Sequence, residues 1–244
     1  MRETPSDNLL TLSSSQLSMT DLIVLSVASN SSNEDKIILF LVLLGSLSVH
    51  EWAHAITADK LGDPLPRAEG RVTLDPRAHI DPIGTILLPL IMIFASPGFA
   101  IFGWGKPVRI SLPNPKTRKR DDVLITIAGP LSNLLIALVA TLFFSTWISL
   151  GFPVSDSGVD LFQIIVLLNC VLFVFNLIPI PPLDGSHILK NAINMKDETY
   201  YNLSRYGFII LLVLINIPPF QNFMGSLIHL SSNVFFTIFS QLAL

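Results

Sequence analysis

His50, Glu51 and His54 fall within five consecutive residues, His50-Glu51-Trp52-Ala53-His54, inside a run that is apolar enough to enter a membrane, IILFLVLLGSLSVHEWAHAITADK. Residues four apart share one face of a helix, so the two imidazoles can chelate a single ion, and Zn2+ is the usual occupant of such a pair. Glu51 is rotated off that face by one residue, close enough to reach a water on the ion. The competing explanation is that polar residues near a helix end simply reach the interface. That suffices for one histidine. It fails for three ionisable side chains at ligand spacing, because each costs about 2.5 kcal/mol or more at depth unless paired or metal-bound. At about 1.5 Å per residue from Lys36, His50 lies roughly 21 Å into a hydrocarbon layer about 30 Å thick. The predicted site is therefore inside the membrane.

A catalytic zinc takes three protein donors and leaves its fourth position open, so a third donor is required. The candidate segment is NLIPIPPLDGSH, residues 176 to 187. Pro179, Pro181 and Pro182 forbid continuous helix there, and broken backbone at membrane depth is expected where it lines a polar cavity. Asp184, followed by Gly185, would present a carboxylate from that break. Taken alone, Asp184 reads better as the N-cap of a short helix, SHILKNAINM. The need for a third donor, with few others available, makes it the candidate ligand, and His187 stands as an alternative.

The elements that must position these residues are apolar helices. Half of the 244 residues are hydrophobic and 14% are charged, and the mean hydropathy of +0.61 is far above that of a soluble domain. The net charge of -3 is small, and nothing supports a nucleic-acid partner. Cys170 is the only cysteine, which excludes a disulfide framework within the chain and a thiolate metal cluster. It reads as a small core residue. Arg2 and Glu3 are followed by polar residues, so no cleavable signal peptide is expected and the first span should serve as a signal anchor.

Residues 1 to 35 form a polar tail, and 36 to 244 a single domain. Runs long enough to cross a bilayer follow at roughly 37 to 58, 122 to 149 and 160 to 180. The last apolar region, 206 to 243, is divided by Ile217-Pro218-Pro219 into one span plus an interfacial helix, or into two spans. Between Pro82 and Trp104 an apolar stretch is interrupted by Pro89, Pro97-Gly98 and Gly103. Ten of the fifteen Lys and Arg residues lie between Lys60 and Arg120, on both sides of it. The positive-inside rule then puts both flanks in the cytoplasm, so the stretch should dip in and return. GRVTLDP, residues 70 to 76, alternates in polarity and suggests a short strand at the membrane edge. The fold expected is an all-α polytopic membrane protein of about four to six transmembrane helices, with a re-entrant segment and a small membrane-edge β element. Its site would lie toward the cytoplasmic side of the cell membrane.

Two of these motifs, in different helices, make the chain resemble the site-2 proteases, which are intramembrane zinc metalloproteases. HEWAHA is similar to the family's HExxH helix, and NLIPIPPLDG to its Asn-x-x-Pro-x-x-x-x-Asp-Gly motif. AGPLSN (128 to 133) and the GRVTLDPRAHIDPIGT and GWGKPV stretches are similar to the compact branch that lacks a PDZ domain. The resemblance covers about residues 36 to 217. It implies that His50, His54 and Asp184 are the zinc ligands and Glu51 the general base. It implies further that Asn176 helps hold the substrate or the developing oxyanion, and that Asn133 lines the core. Trp52 occupies a variable site, and Ser186 stands where a second Gly is common. His79 reads as structural, and His229 has no evident partner.

The implied activity is zinc-dependent hydrolysis of peptide bonds in or near the transmembrane segments of membrane protein substrates, with the lipid bilayer as the surrounding partner. Two readings compete with it. Intramembrane His and carboxylate clusters also line the ion paths of metal transporters, and a catalytically silent homologue would only bind membrane segments. The transporter has no need of Glu51 beside the ligands, and the intact set of ligands and base argues against silence.

Overall fold

The computed structural model describes residues 33–95 and 103–243. The polar tail therefore lies outside the described residues except for its last three positions, which already belong to the first helix. Helix α1, Asn33–Lys60, opens with Glu34 and Asp35 and closes on Lys60, charges that complement the helix dipole at both ends. At 28 residues it is about 42 Å long, more than the hydrocarbon layer requires. A short helix α2, Leu65–Ala68, and a 3-10 turn, Pro76–Ala78, lead to a wide π turn at Pro82–Leu87 and helix α3, Leu88–Ala95. Helices α4 (Arg118–Ser149), α5 (Asp156–Asn176), α6 (Gly185–Ala192), α7 (Asp197–Leu214) and α8 (Pro218–Ala243) complete the chain.

Among the described residues, four helices are long and apolar enough to cross a membrane: α1, α4, α5 and α8. The break expected at Ile217-Pro218-Pro219 is where α8 begins, since proline suits the first turn of a helix and disrupts the middle of one. α4 packs against α1, α5 and α8 and so stands at the centre of the bundle. One apolar cluster joins Ala137 of α4, Phe162, Val166 and Cys170 of α5, and Phe235 and Phe239 of α8, with the Phe162 and Phe239 rings stacked at 4.5 Å. Cys170 is buried there, as a core residue. A second cluster ties Val174, Ile178 and Leu183 to Leu211, Met224 and Ile228, and thereby fastens the proline-broken segment after α5 to α7 and α8.

The strand expected at 70–76 does not form: the described residues contain no strand. Side-chain hydrogen bonds hold the stretch in place instead. The Arg71 guanidinium donates to Ala78 O and Lys106 O, and His79 Nε2 donates to Thr73 O at 2.8 Å. Burial pushes the His79 imidazole below its usual pKa, with the Arg71 charge acting the same way against the Thr73 hydrogen bond, so the ring is neutral and structural. The stretch from Pro82 onward comes back to where it left. Lys106 N donates to His79 O at 2.8 Å, Trp104 N to Gly84 O at 3.1 Å, and Thr85 Oγ1 to Trp104 O at 2.7 Å.

Beyond that return, Asp63 anchors the chain. Its carboxylate accepts from Leu65 N, Ser111 N, Ser111 Oγ and Leu112 N, and the residue is 2% exposed. Burial alone would raise its pKa, but the bonds from Ser111, Leu65 and Leu112 outweigh burial and hold the carboxyl below its usual value. A lowered folded pKa means that this anchor is at full strength above about pH 4, the unfolded value, and is lost as pH falls through the lower folded one. Asp63→Ala should cost about 2 kcal/mol of local stability, from lost hydrogen bonds to a charged group. Hydrogen exchange at the Ser111 and Leu112 amides should then accelerate roughly 30-fold at neutral pH relative to intrinsic rates. Unchanged protection would show that the segment is held elsewhere.

Candidate metal centre

One turn of α1 separates His50 from His54, and both are buried, at 4% and 8% exposure. Each ring is held at Nδ1. His50 Nδ1 donates to Asn133 Oδ1 at 2.8 Å, and His54 Nδ1 donates to Ile125 O at 2.7 Å. Both partners lie on α4, where Pro130 interrupts the hydrogen-bond ladder: it has no N–H to offer Thr126 O, and its ring opens the turn that carries Ile125 and Thr126. The two Nε2 atoms point at one place and stand 3.0 Å apart.

Asp184 comes to the same place from the far end of the sequence. It occupies the N-cap position of α6 but makes no capping hydrogen bond, so the capping alternative is not realised. Its Oδ2 lies 3.2 Å from His50 Nε2 and 3.4 Å from His54 Nε2, and it is buried without a hydrogen-bond partner. Two imidazole lone pairs and a carboxylate oxygen facing one point form an arrangement that a cation satisfies. Tetrahedral zinc with bonds of about 2.0–2.1 Å places neighbouring donors about 3.3 Å apart. The triangle found here has edges of 3.0, 3.2 and 3.4 Å. Among the described residues, His50, His54 and Asp184 form the one group of three such donors, and they fit a metal that keeps one coordination position open.

Glu51 is 9% exposed. The returning chain passes so close to it that a Cβ on Gly105 would sit 2.8 Å from Glu51 Cγ and 2.9 Å from Oε1. Arg71, itself 3% exposed, brings Nη2 to 3.9 Å from Glu51 Oε2. A buried carboxylate thus has an opposite charge beside it, supplied by the stretch that sequence alone suggested was a strand. Asn176 is half-buried at the end of α5, and its Nδ2 donates to Leu172 O of the preceding turn at 2.9 Å.

His187, the alternative third ligand, is turned elsewhere. Its Nδ1 meets Asp122 Oδ1 at 3.2 Å, and Asn191 Nδ2 donates to Asp122 Oδ2 at 2.7 Å. His229 interacts with Asn233 along α8. Ser186 donates to Leu183 O at 2.6 Å and meets Tyr200 Oη at 2.9 Å, so it braces the turn that presents Asp184 against α7. Two contributors were not singled out from sequence. Arg71 carried no signal beyond its charge. Asn169 did carry one, as an amide in the middle of an apolar span, where an unsatisfied polar group is costly.

The model of peptidase family M50 matches residues 148–214. YwhC of Bacillus subtilis (strain 168), provisionally named a zinc metalloprotease, is 37% identical over 185 residues, which cover 74% of this chain and 80% of that protein. Rip2 of Mycolicibacterium smegmatis, named in the same provisional way, is 29% identical over 199 residues, covering 79% and 73% of the two chains. Rip2 of Mycobacterium tuberculosis (strain H37Rv) is 30% identical over 192 residues, covering 76% and 69%. No solved structure matches.

Proposed function

The chain belongs to peptidase family M50, the site-2 type of zinc metalloprotease, and from that premise we propose that it cleaves peptide bonds in or near the transmembrane segments of other membrane proteins. The observation that carries this reading is the buried triangle of His50 Nε2, His54 Nε2 and Asp184 Oδ2, two of its corners on a helix long enough to span a bilayer, with Glu51 next to His50 in the chain.

His50 Nε2, His54 Nε2 and Asp184 Oδ2 would hold zinc, which would supply Lewis acidity and bring the ionisation of water toward pH 7. Glu51 takes a proton from the attacking water on its carboxylate and returns it to the nitrogen of the leaving amine. Arg71 Nη2, at 3.9 Å, and the backbone at Gly105 hold that carboxylate in place. Asn176 Nδ2, released from Leu172 O, donates to the oxyanion that develops on the scissile carbonyl. A helical substrate hides its carbonyls in its own hydrogen bonds, so it must unwind locally before it can be cut.

The stretch after Pro82 is the re-entrant element of this scheme. Its two flanks are hydrogen-bonded to each other and rich in Lys and Arg, which supports a dip that enters and leaves on the cytoplasmic side of the cell membrane. On that reading the centre lies nearer the cytoplasm. Burial of Glu51 beside the ligand pair favours hydrolysis over zinc transport.

The test compares membrane-protein fragments from cells that hold the active chain with those from cells that hold Glu51→Gln, followed by reconstitution of the accumulated fragment's precursor in proteoliposomes. Cleavage within or at the edge of its span should stop when zinc is chelated and resume when zinc is returned. Zinc flux across the liposomes, with no fragment distinguishing the two cell populations, would overturn the protease reading.

A further inference from the structure

We propose that Asn169 is a positioning residue that fixes the tautomer of His50 through Asn133, so that a backbone carbonyl two side chains away decides which nitrogen of that imidazole can take a metal. The inference rests on the reading of His50, His54 and Asp184 as the metal site.

The geometry is read from the far end. Asn169 Nδ2 lies 2.8 Å from Ile165 O, in the preceding turn of α5, and 3.0 Å from Ser46 Oγ on α1. A backbone carbonyl only accepts, so the amide nitrogen must face Ile165 O. Turned over, Asn169 would set two lone pairs against each other at 2.8 Å with no proton between them. Asn169 Oδ1 is thereby left facing Asn133 Nδ2, 3.0 Å away. That fixes the second amide in turn, with Asn133 Oδ1 toward His50 Nδ1 at 2.8 Å. An amide oxygen cannot donate, so the imidazole proton sits on Nδ1 and the lone pair on Nε2, the atom that faces His54 and Asp184.

Asn133 and Asn169 are both fully buried, so water offers neither amide another partner. His54 reaches the same tautomer in one step, through Ile125 O. Both rings thus answer to helix carbonyls, one directly on α4 and one on α5 through two amides. Ser46 is a secondary contact: Ile165 O is enough to orient Asn169.

A residue acting only in helix packing would leave His50 alone, and this separates the proposal from a structural role. The experiment uses the full chain in detergent or lipid with 15N-labelled histidine. In the metal-free natural protein, the His50 signals should report a proton on Nδ1, and a ring protonated at Nε2 alone would overturn the proposal without any variant being needed. Zinc affinity is then measured by competition with a chromophoric chelator for Asn133→Leu, Asn169→Leu and the double variant. Each single change should weaken zinc about 10–100-fold, as loss of a ligand-orienting partner does.

The double variant should bind within about twofold of Asn133→Leu alone, because Asn169 acts through Asn133. In metal-free Asn169→Leu, a second His50 tautomer should appear. Full additivity of the two losses, or Asn169→Leu with unchanged affinity and an unchanged His50 spectrum, would overturn the proposal. A natural protein that shows the Nδ1 proton but binds no zinc would instead overturn the metal reading and leave the role of Asn169 standing on the tautomer alone.

Discussion

Glu51→Gln should lower peptide-bond cleavage by about two to four orders of magnitude, the usual contribution of a positioned general base, while leaving zinc content unchanged. The substitution is nearly isosteric, so the close passage of the Gly105 backbone is preserved. Arg71 loses its neighbouring charge but keeps Ala78 O and Lys106 O as acceptors, so the returning chain stays in place. None of the three proposed ligand atoms belongs to Glu51. Metal analysis and cleavage rates on the same preparation separate the two effects. Undiminished cleavage would remove Glu51 from the mechanism, and loss of zinc would make it part of the metal site.

Gly129→Ala adds one methyl group and should weaken zinc by at least about 100-fold. A Cβ at this position would stand 2.3 Å from His54 Nε2, 2.5 Å from His54 Cε1 and 2.7 Å from His50 Cε1. Overpacking is often relieved by small side-chain movements. Here the rings are pinned at Nδ1 by Asn133 and Ile125 O, so neither can move without giving up a buried hydrogen bond. The methyl therefore pushes on the rings that carry the proposed ligand nitrogens. Gly45→Ala is the control: its Cβ would meet nothing within 4 Å, and stability should change by no more than about 1 kcal/mol. Zinc titration of both variants checks the pair, and equal affinities would mean that the helices separate easily at Gly129.

The pairing of His50 with His54 was legible because it is local. Helical spacing alone brings His50 and His54 to one face, and their burial in an apolar run supplies the reason for a metal. Asp184 was legible only in part: its residue type and the prolines before it fitted, but the capping alternative could be dismissed only once Oδ2 was seen to face the two imidazoles. The return of the chain after Pro82, where Trp104 and Lys106 bond back to Gly84 and His79, has both of its flanks in the part of the sequence richest in Lys and Arg.

The alternation in GRVTLDP misled because period two reports the direction of side chains and says nothing of a partner strand. His79 takes the Thr73 carbonyl there, while Arg71 turns to Ala78 O and Lys106 O and reaches Glu51, twenty residues earlier in the sequence. Asn169 stands 123 residues from Ser46 and 36 from Asn133. No window along the chain could join them. Their relation is a property of three packed helices and of the one polarity that their hydrogen bonds allow.

The anchoring of both imidazoles at Nδ1 has a practical corollary. In small zinc-dependent folds the ion assembles its own ligands, and chelators denature the protein. Here hydrogen bonds between helices have already placed the two rings, so an ion held at the proposed site would enter a socket finished by the polypeptide. Demetallation should be a reversible inhibition, with the helical bundle surviving each cycle of loss and reloading.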